Sequence, residues 1–157
     1  MIKKSFRAYN ANNGDIFDYI PAQKTNQIFT PKPVVKDMVD RLEKENPNCF
    51  DDLEATFADR YMKSGMYITE IVKRIFQSNK MKELFPDEAA RLNHIFAYQV
   101  YGCAPTEIIY QICRRYILGF SDRIKIEKDN IKLCDTLEYA KNGKLEDKMR
   151  ELFVFEV

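Results

Sequence analysis

Residues 56–76 read Thr-Phe-Ala-Asp-Arg-Tyr-Met-Lys-Ser-Gly-Met-Tyr-Ile-Thr-Glu-Ile-Val-Lys-Arg-Ile-Phe, and this run constrains the fold more than any other. Thr56, Phe57 and Ala58 form a short apolar run of the kind that makes a buried strand, and it ends in Asp59. A polar turn follows, closed by Ser64 and Gly65. Ile68, Ile71, Val72 and Ile75 then recur at i, i+3, i+4 and i+7, which is one face of a helix. Strand, polar turn and helix in this order make the unit that opens a nucleotide-type cofactor site in open α/β sheets. Ser64 and Gly65 fall where a helix N-terminus presents unpaired amides. The same run also describes an ordinary strand–turn–helix connection, so the neighbouring segments must decide.

Upstream, Thr30 before Pro31 predicts an N-cap followed by proline in the first helical position, with a helix over about 31–45. Val34, Val35, Met38, Val39 and Leu42 mark its apolar face, and Asn46-Pro47-Asn48 stops it. Residues 1–27 are polar and turn-rich and read as an N-terminal extension, with 28–157 as the domain proper. Downstream, Lys80–Phe85 predicts a short helical turn. Pro86-Asp87-Glu88 restarts a helix with Ala89, Leu92, Ile95 and Phe96 inward. Tyr98–Cys103 alternates and predicts a second strand. Ile108, Ile109, Ile112, Cys113, Tyr116 and Ile117 form the buried face of the next helix, ended near Gly119. Ser121–Asp129 reads as a solvated loop and Asn130–Cys134 as a third strand. Leu137–Ala140 predicts a helical turn; Leu145, Met149 and Leu152 predict a last helix; residues 153–157 suit the start of a fourth strand. This alternation predicts an α/β fold with a parallel sheet and helices on both faces.

The chain of 157 residues matches a single domain, and 45% hydrophobic content supports a core. Its net charge of +1 lacks the basic excess of a protein that grips nucleic acid by charge alone. The four cysteines show no C-x-x-C spacing, and Cys103, Cys113 and Cys134 sit in apolar surroundings as small core residues. No apolar run approaches the roughly 20 residues that span a bilayer. With no signal peptide over residues 1–10, the expectation is a cytoplasmic protein with reduced thiols and no membrane association. His94, the single histidine, has no metal-ligand or catalytic partner at suitable spacing.

In an open α/β sheet, ligands bind beyond the carboxyl ends of the strands. Three such ends are predicted: Asp59 with the turn to Ser64-Gly65, Gly102-Cys103-Ala104, and Asp135-Thr136. Their order resembles the cofactor half of an S-adenosylmethionine-dependent DNA adenine-N6 methyltransferase of restriction-modification systems. Gln27-Ile28-Phe29-Thr30-Pro31 before a Val-Val-x-x-Met helix resembles the segment over the methionine end of the cofactor. Asp59 to Gly65 resembles the first cofactor loop, whose family form is Asp-Pro-x-x-Gly-Ser-Gly. Tyr101 to Pro105 resembles the second strand end, where an acidic residue usually holds the ribose. Asn130 to Thr136 resembles the third, where an Asp sits near the adenine amino group.

The resemblance covers about residues 24–140 and implies a Rossmann-like class I methyltransferase fold. It implies a cofactor site drawn from Phe29, Thr30, Pro31, Asp59, Lys63, Ser64, Gly65, Cys103, Ala104, Asp135 and Thr136, with S-adenosylmethionine as cofactor. Three departures stand out: Arg60 replaces the family's Pro, Lys63 its first Gly, and Ala104 its ribose carboxylate. They imply weak or lost cofactor binding. The family's catalytic Asn/Asp-Pro-Pro-aromatic motif is absent, since no Pro-Pro pair occurs, and so is its target-recognition region. The chain therefore reads as the cofactor-binding portion of a type II restriction-modification methyltransferase, truncated or split, inactive alone and reaching DNA through regions it lacks. The alternative is a degenerate methyltransferase-like scaffold subunit that pairs with a partner, or with itself, through an open sheet edge.

Overall fold

Phe57–Asp59 forms β1, Val100–Ala104 β2 and Asn130–Leu133 β3, paired in the order β1-β2-β3 with all three strands parallel. The computed structural model describes residues 30–119 and 124–153. Phe57 lies opposite Val100 and Asp59 opposite Gly102, while Tyr101 lies opposite Asn130 and Ala104 opposite Leu133. Around these strands run α1 (Lys32–Glu45), α2 (Met66–Gln77), α3 (Asn79–Leu84), α4 (Glu88–His94), α5 (Glu107–Leu118), α6 (Thr136–Lys141) and α7 (Leu145–Leu152). The chain is thus an α/β protein built on a three-stranded parallel sheet.

The pleat of β2 divides the core in two. Val100 and Ala104 join the larger cluster with Ile68, Ile75, Ile109, Cys113 and Ile131, so α2 and α5 cover that face. Tyr101 and Cys103 point the other way and pack with Cys134, Met149 and Phe153, so α7 covers the second face. A strand buried on both faces must be apolar throughout, and every residue of β2 is buried. Tyr101 meets Phe153 edge-on, with ring centroids 5.2 Å apart.

Gly102 marks the closest approach within this core. A Cβ there would stand 2.4 Å from Met62 Sδ and 3.2 Å from Ile131 Cδ1, and Met62 is itself 0% exposed. Gly102→Ala is expected to cost about 1–3 kcal/mol, because a sealed thioether has no room to retreat. Urea denaturation checks this; an unchanged midpoint would show that the turn carrying Met62 yields freely.

The structure differs from several sequence expectations. Helix α1 starts at Lys32 with Pro31 as N-cap, and no side chain caps it, so Thr30 does not serve as the cap. Pro31 instead supplies its carbonyl to the amides of Val34 and Val35. Only Val35 and Val39 of the α1 stripe are buried; Val34 and Met38 are exposed, because α2 covers one side of the stripe. Arg74 of α2 fixes that packing by ion-pairing with Asp40 and Glu43 of α1 as well as with Glu70.

Tyr98 and Gln99 are not strand residues. Ile95–Gln99 forms a π-helical turn that continues α4 and delivers the chain to Val100. Tertiary hydrogen bonds outweigh the β-prone alternation here. Asn130 of β3 donates to the carbonyls of Phe96 (3.2 Å) and Ala97 (2.9 Å), while buried Gln99 donates to those of Asp52 (2.9 Å) and Ala55 (3.3 Å).

The segment before β3 is also more than a solvated loop. Asp129 takes a bidentate contact from Arg114 of α5, at 2.8 and 3.0 Å, and caps the amide of Ile131. Two helices, α6 and α7, follow β3. The N-terminal extension over 1–27, Phe29 and the fourth-strand residues 154–157 lie outside the described residues.

Candidate functional site

The carboxyl ends of the three strands are joined by backbone contacts. The amide of Met62, in the β1–α2 turn, donates to the Cys103 carbonyl at 2.7 Å. The amide of Cys134, just past β3, donates to the Ala104 carbonyl at 2.8 Å. The Thr136 hydroxyl, buried at the start of α6, donates to the Arg60 carbonyl at 2.5 Å. Asp59, Lys63, Ser64, Gly65, Cys103, Ala104, Asp135 and Thr136 therefore belong to one neighbourhood.

Several contacts hold the turn itself. Gly65 adopts φ 75°, left-handed backbone that glycine enters without a Cβ penalty. Ser64 is buried, and its hydroxyl accepts from the Met66 amide at 3.3 Å. The Cys113 thiol of α5 donates to the Lys63 carbonyl at 3.8 Å. Sequence reasoning missed this contact, because Cys113 reads as one more apolar position on its helix.

Asp59 occupies the end of β1, half-buried. Its Oδ1 accepts from the Tyr61 amide at 3.1 Å, and no Lys or Arg among the described residues forms an ion pair with it. Burial pushes its carboxyl above the ordinary range, against the opposing effect of the Tyr61 amide. A desolvated carboxylate without a cation is costly to keep.

The other expected residues divide clearly. Cys103 and Ala104 are 0% exposed with their carbonyls engaged, so their side chains pack rather than face solvent. Burial holds the Cys103 and Cys113 thiols up at about 12, the state of inert core cysteines. Asp135 is exposed, and its Oδ1 caps the Leu137 amide at 3.1 Å. Pro31 is exposed at the start of α1. Helix α1 reaches the site region through Val35, which clusters with Met66 of α2.

One more residue of the turn, Tyr61, enters the site, and Arg60 does not. Burial, and then the negative charge of Asp135, raise the Tyr61 hydroxyl. Arg60 reaches away from the strand ends to Glu146 of α7, at 2.8 Å on the surface. A tyrosine two residues past a strand-end aspartate was the available signal for Tyr61.

His94 lies at the amino end of β2, away from these residues, stacked on Phe85 at 4.5 Å and tilted against Tyr98 at 5.2 Å. Burial lowers its pKa. Among the described residues, no group of three or more His, Cys, Asp or Glu is placed to hold a metal ion, and no helix is long and apolar enough to cross a membrane.

Fold and site together define a parallel α/β unit with polar, backbone-rich strand ends. No family model matches the chain, and no curated protein matches it.

Proposed function

We propose that the chain is the cofactor-binding portion of an S-adenosylmethionine-dependent DNA adenine-N6 methyltransferase of the type II restriction-modification kind, on a Rossmann-like class I fold. One observation carries this reading: a half-buried Asp59 carboxylate, without a cation partner among the described residues, stands at the end of β1, and the turn that follows it closes on the left-handed Gly65 at the N-cap of α2. The donor set suits the ligand. S-adenosylmethionine carries an ammonium and a sulfonium, and a desolvated carboxylate binds such charge more strongly than an exposed one. When bound, the cofactor supplies an electrophilic methyl group. This chain's residues would bind and orient it; the adenine-holding motif and the grip on DNA lie in regions beyond the described site.

Isothermal calorimetry with S-adenosylmethionine tests the reading, with measurable but weak binding expected. Incubation with DNA and methyl-labelled cofactor is expected to leave the DNA unlabelled. Absence of any cofactor binding would overturn the proposal.

A second reading, a non-enzymatic scaffold subunit, is favoured by the open lateral edges of β1 and β3, which have no strand partner among the described residues. Such edges pair readily with a second chain. A chain that self-associates in sedimentation and binds no cofactor would fit that reading.

A further inference from the structure

Among the described methionines, packing treats one differently. Met62, Met66, Met81 and Met149 are buried, at 0%, 4%, 0% and 8% exposure, whereas Met38 on α1 is 50% exposed. Met38 is not idle at the surface. Its Sδ accepts a hydrogen bond from the Tyr67 hydroxyl at 2.7 Å. Tyr67 is the second residue of α2 and is half-buried beside the cluster of Val35 and Met66. The contact therefore ties the exposed side of α1 to the first turn of α2, just past the Ser64-Gly65 turn. Arg74 joins the same two helices nearer the other end of α2, through Asp40 and Glu43.

We propose that Met38 is a reversible oxidation site whose sulfoxide tightens α1 onto the first turn of α2. The co-reactant is a peroxide. A sulfur lone pair attacks one peroxide oxygen, the O–O bond breaks, and the thioether becomes a sulfoxide. Sulfur gives up an electron pair and the peroxide takes it, leaving as water or an alcohol. Exposure decides which sulfur reacts, because a buried thioether needs the core to open first. A thioether is a weak acceptor, and oxidation replaces it with a polar oxygen. With Met38 half in water, that oxygen carries little burial cost, and the Tyr67 hydroxyl is the donor beside it. Sulfoxide reductases reverse the step. The site works through α1 and α2 alone, whatever ligand the strand ends take.

The test treats the full chain with tert-butyl hydroperoxide, reads each methionine by peptide mass spectrometry, and follows the thermal midpoint before and after. Met38 is expected to gain its oxygen about 10-fold or more faster than Met62, Met66, Met81 and Met149. The midpoint is expected to rise by about 2–5 °C once Met38 is converted, the shift that one stronger hydrogen bond gives a chain of this size. Methionine sulfoxide reductase is expected to restore the starting value. Tyr67→Phe, which keeps the ring and removes the donor, is expected to oxidise at Met38 yet show no rise.

Oxidation of the buried methionines as fast as Met38 overturns the proposal. So does an unchanged or lowered midpoint in the oxidised wild type. An equal rise in Tyr67→Phe also overturns it, since the gain would not pass through the hydroxyl. The first two outcomes are read on wild type, so a poorly folded variant leaves the proposal open to refutation.

Discussion

Asp59→Asn is expected to lower S-adenosylmethionine affinity by about 10- to 100-fold, the effect of losing one charged hydrogen bond in a partly desolvated site. The same substitution is expected to raise the thermal midpoint at neutral pH. Burial lifts the folded-state pKa of Asp59 above its ordinary 3.8. Between those two values the folded protein holds a proton that the unfolded chain has released. Stability therefore falls as pH rises through that window and stays reduced above it. Asparagine keeps the acceptor for the Tyr61 amide and removes the charge.

The gain in midpoint should thus be present at pH 7 and vanish below pH 3.8. Opposite signs for binding and stability are the mark of a group held in an unfavourable environment for function. Thermal melts at the two pH values, paired with calorimetry, check both halves. A variant less stable at neutral pH would make Asp59 a structural anchor instead.

Gly65→Ala is expected to be the most destabilising single methyl addition in the turn. The backbone at φ 75° costs a Cβ-bearing residue about 1–2 kcal/mol. The new Cβ would also stand 2.8 Å from Ile117 Cδ1, 2.9 Å from Ile117 Cγ1 and 3.6 Å from the Cys113 backbone. Ile117 is buried on α5, and displacing it adds about 1–3 kcal/mol. The sum is about 2–5 kcal/mol, or a fall in midpoint of several degrees for a chain of this size.

Gly143 supplies the internal control. Its φ is 67°, yet nothing lies within 4 Å of its added Cβ, so Gly143→Ala should carry only the backbone part. Equal losses in the two variants would show that contact with Ile117 contributes nothing.

The periodic signals explain what was legible beforehand. Ile68, Ile71, Val72 and Ile75 repeat at helical spacing, and all four are buried in α2. The strand around Phe57, its terminal Asp59 and the turn through Ser64-Gly65 were also readable, because each depends on neighbours within a few residues. Apolar β2 and β3 between helical stretches led to the parallel α/β arrangement for the same reason. The Tyr98–Gln99 pair was misread because alternation describes a side-chain pattern only. The choice of a π turn was made by Asn130 and by the carbonyls of Asp52 and Ala55, more than 30 residues away in the chain. The solvated reading of Asp129 failed alike, since its partner is Arg114 on a preceding helix.

By itself, then, the sequence determined the local units: which segments are helices and strands, where the polar strand ends fall, and that Gly65 closes the turn. Those follow from side-chain period and backbone preference, which act over a few residues. Only the tertiary structure decided how the turn is used. It sent Arg60 to Glu146, sealed Met62 over Gly102, buried the side chains of Cys103 and Ala104, and left Asp59 without an ion pair among the described residues. Whether a charge is satisfied depends on groups brought near by packing, and no pattern along the chain contains that information.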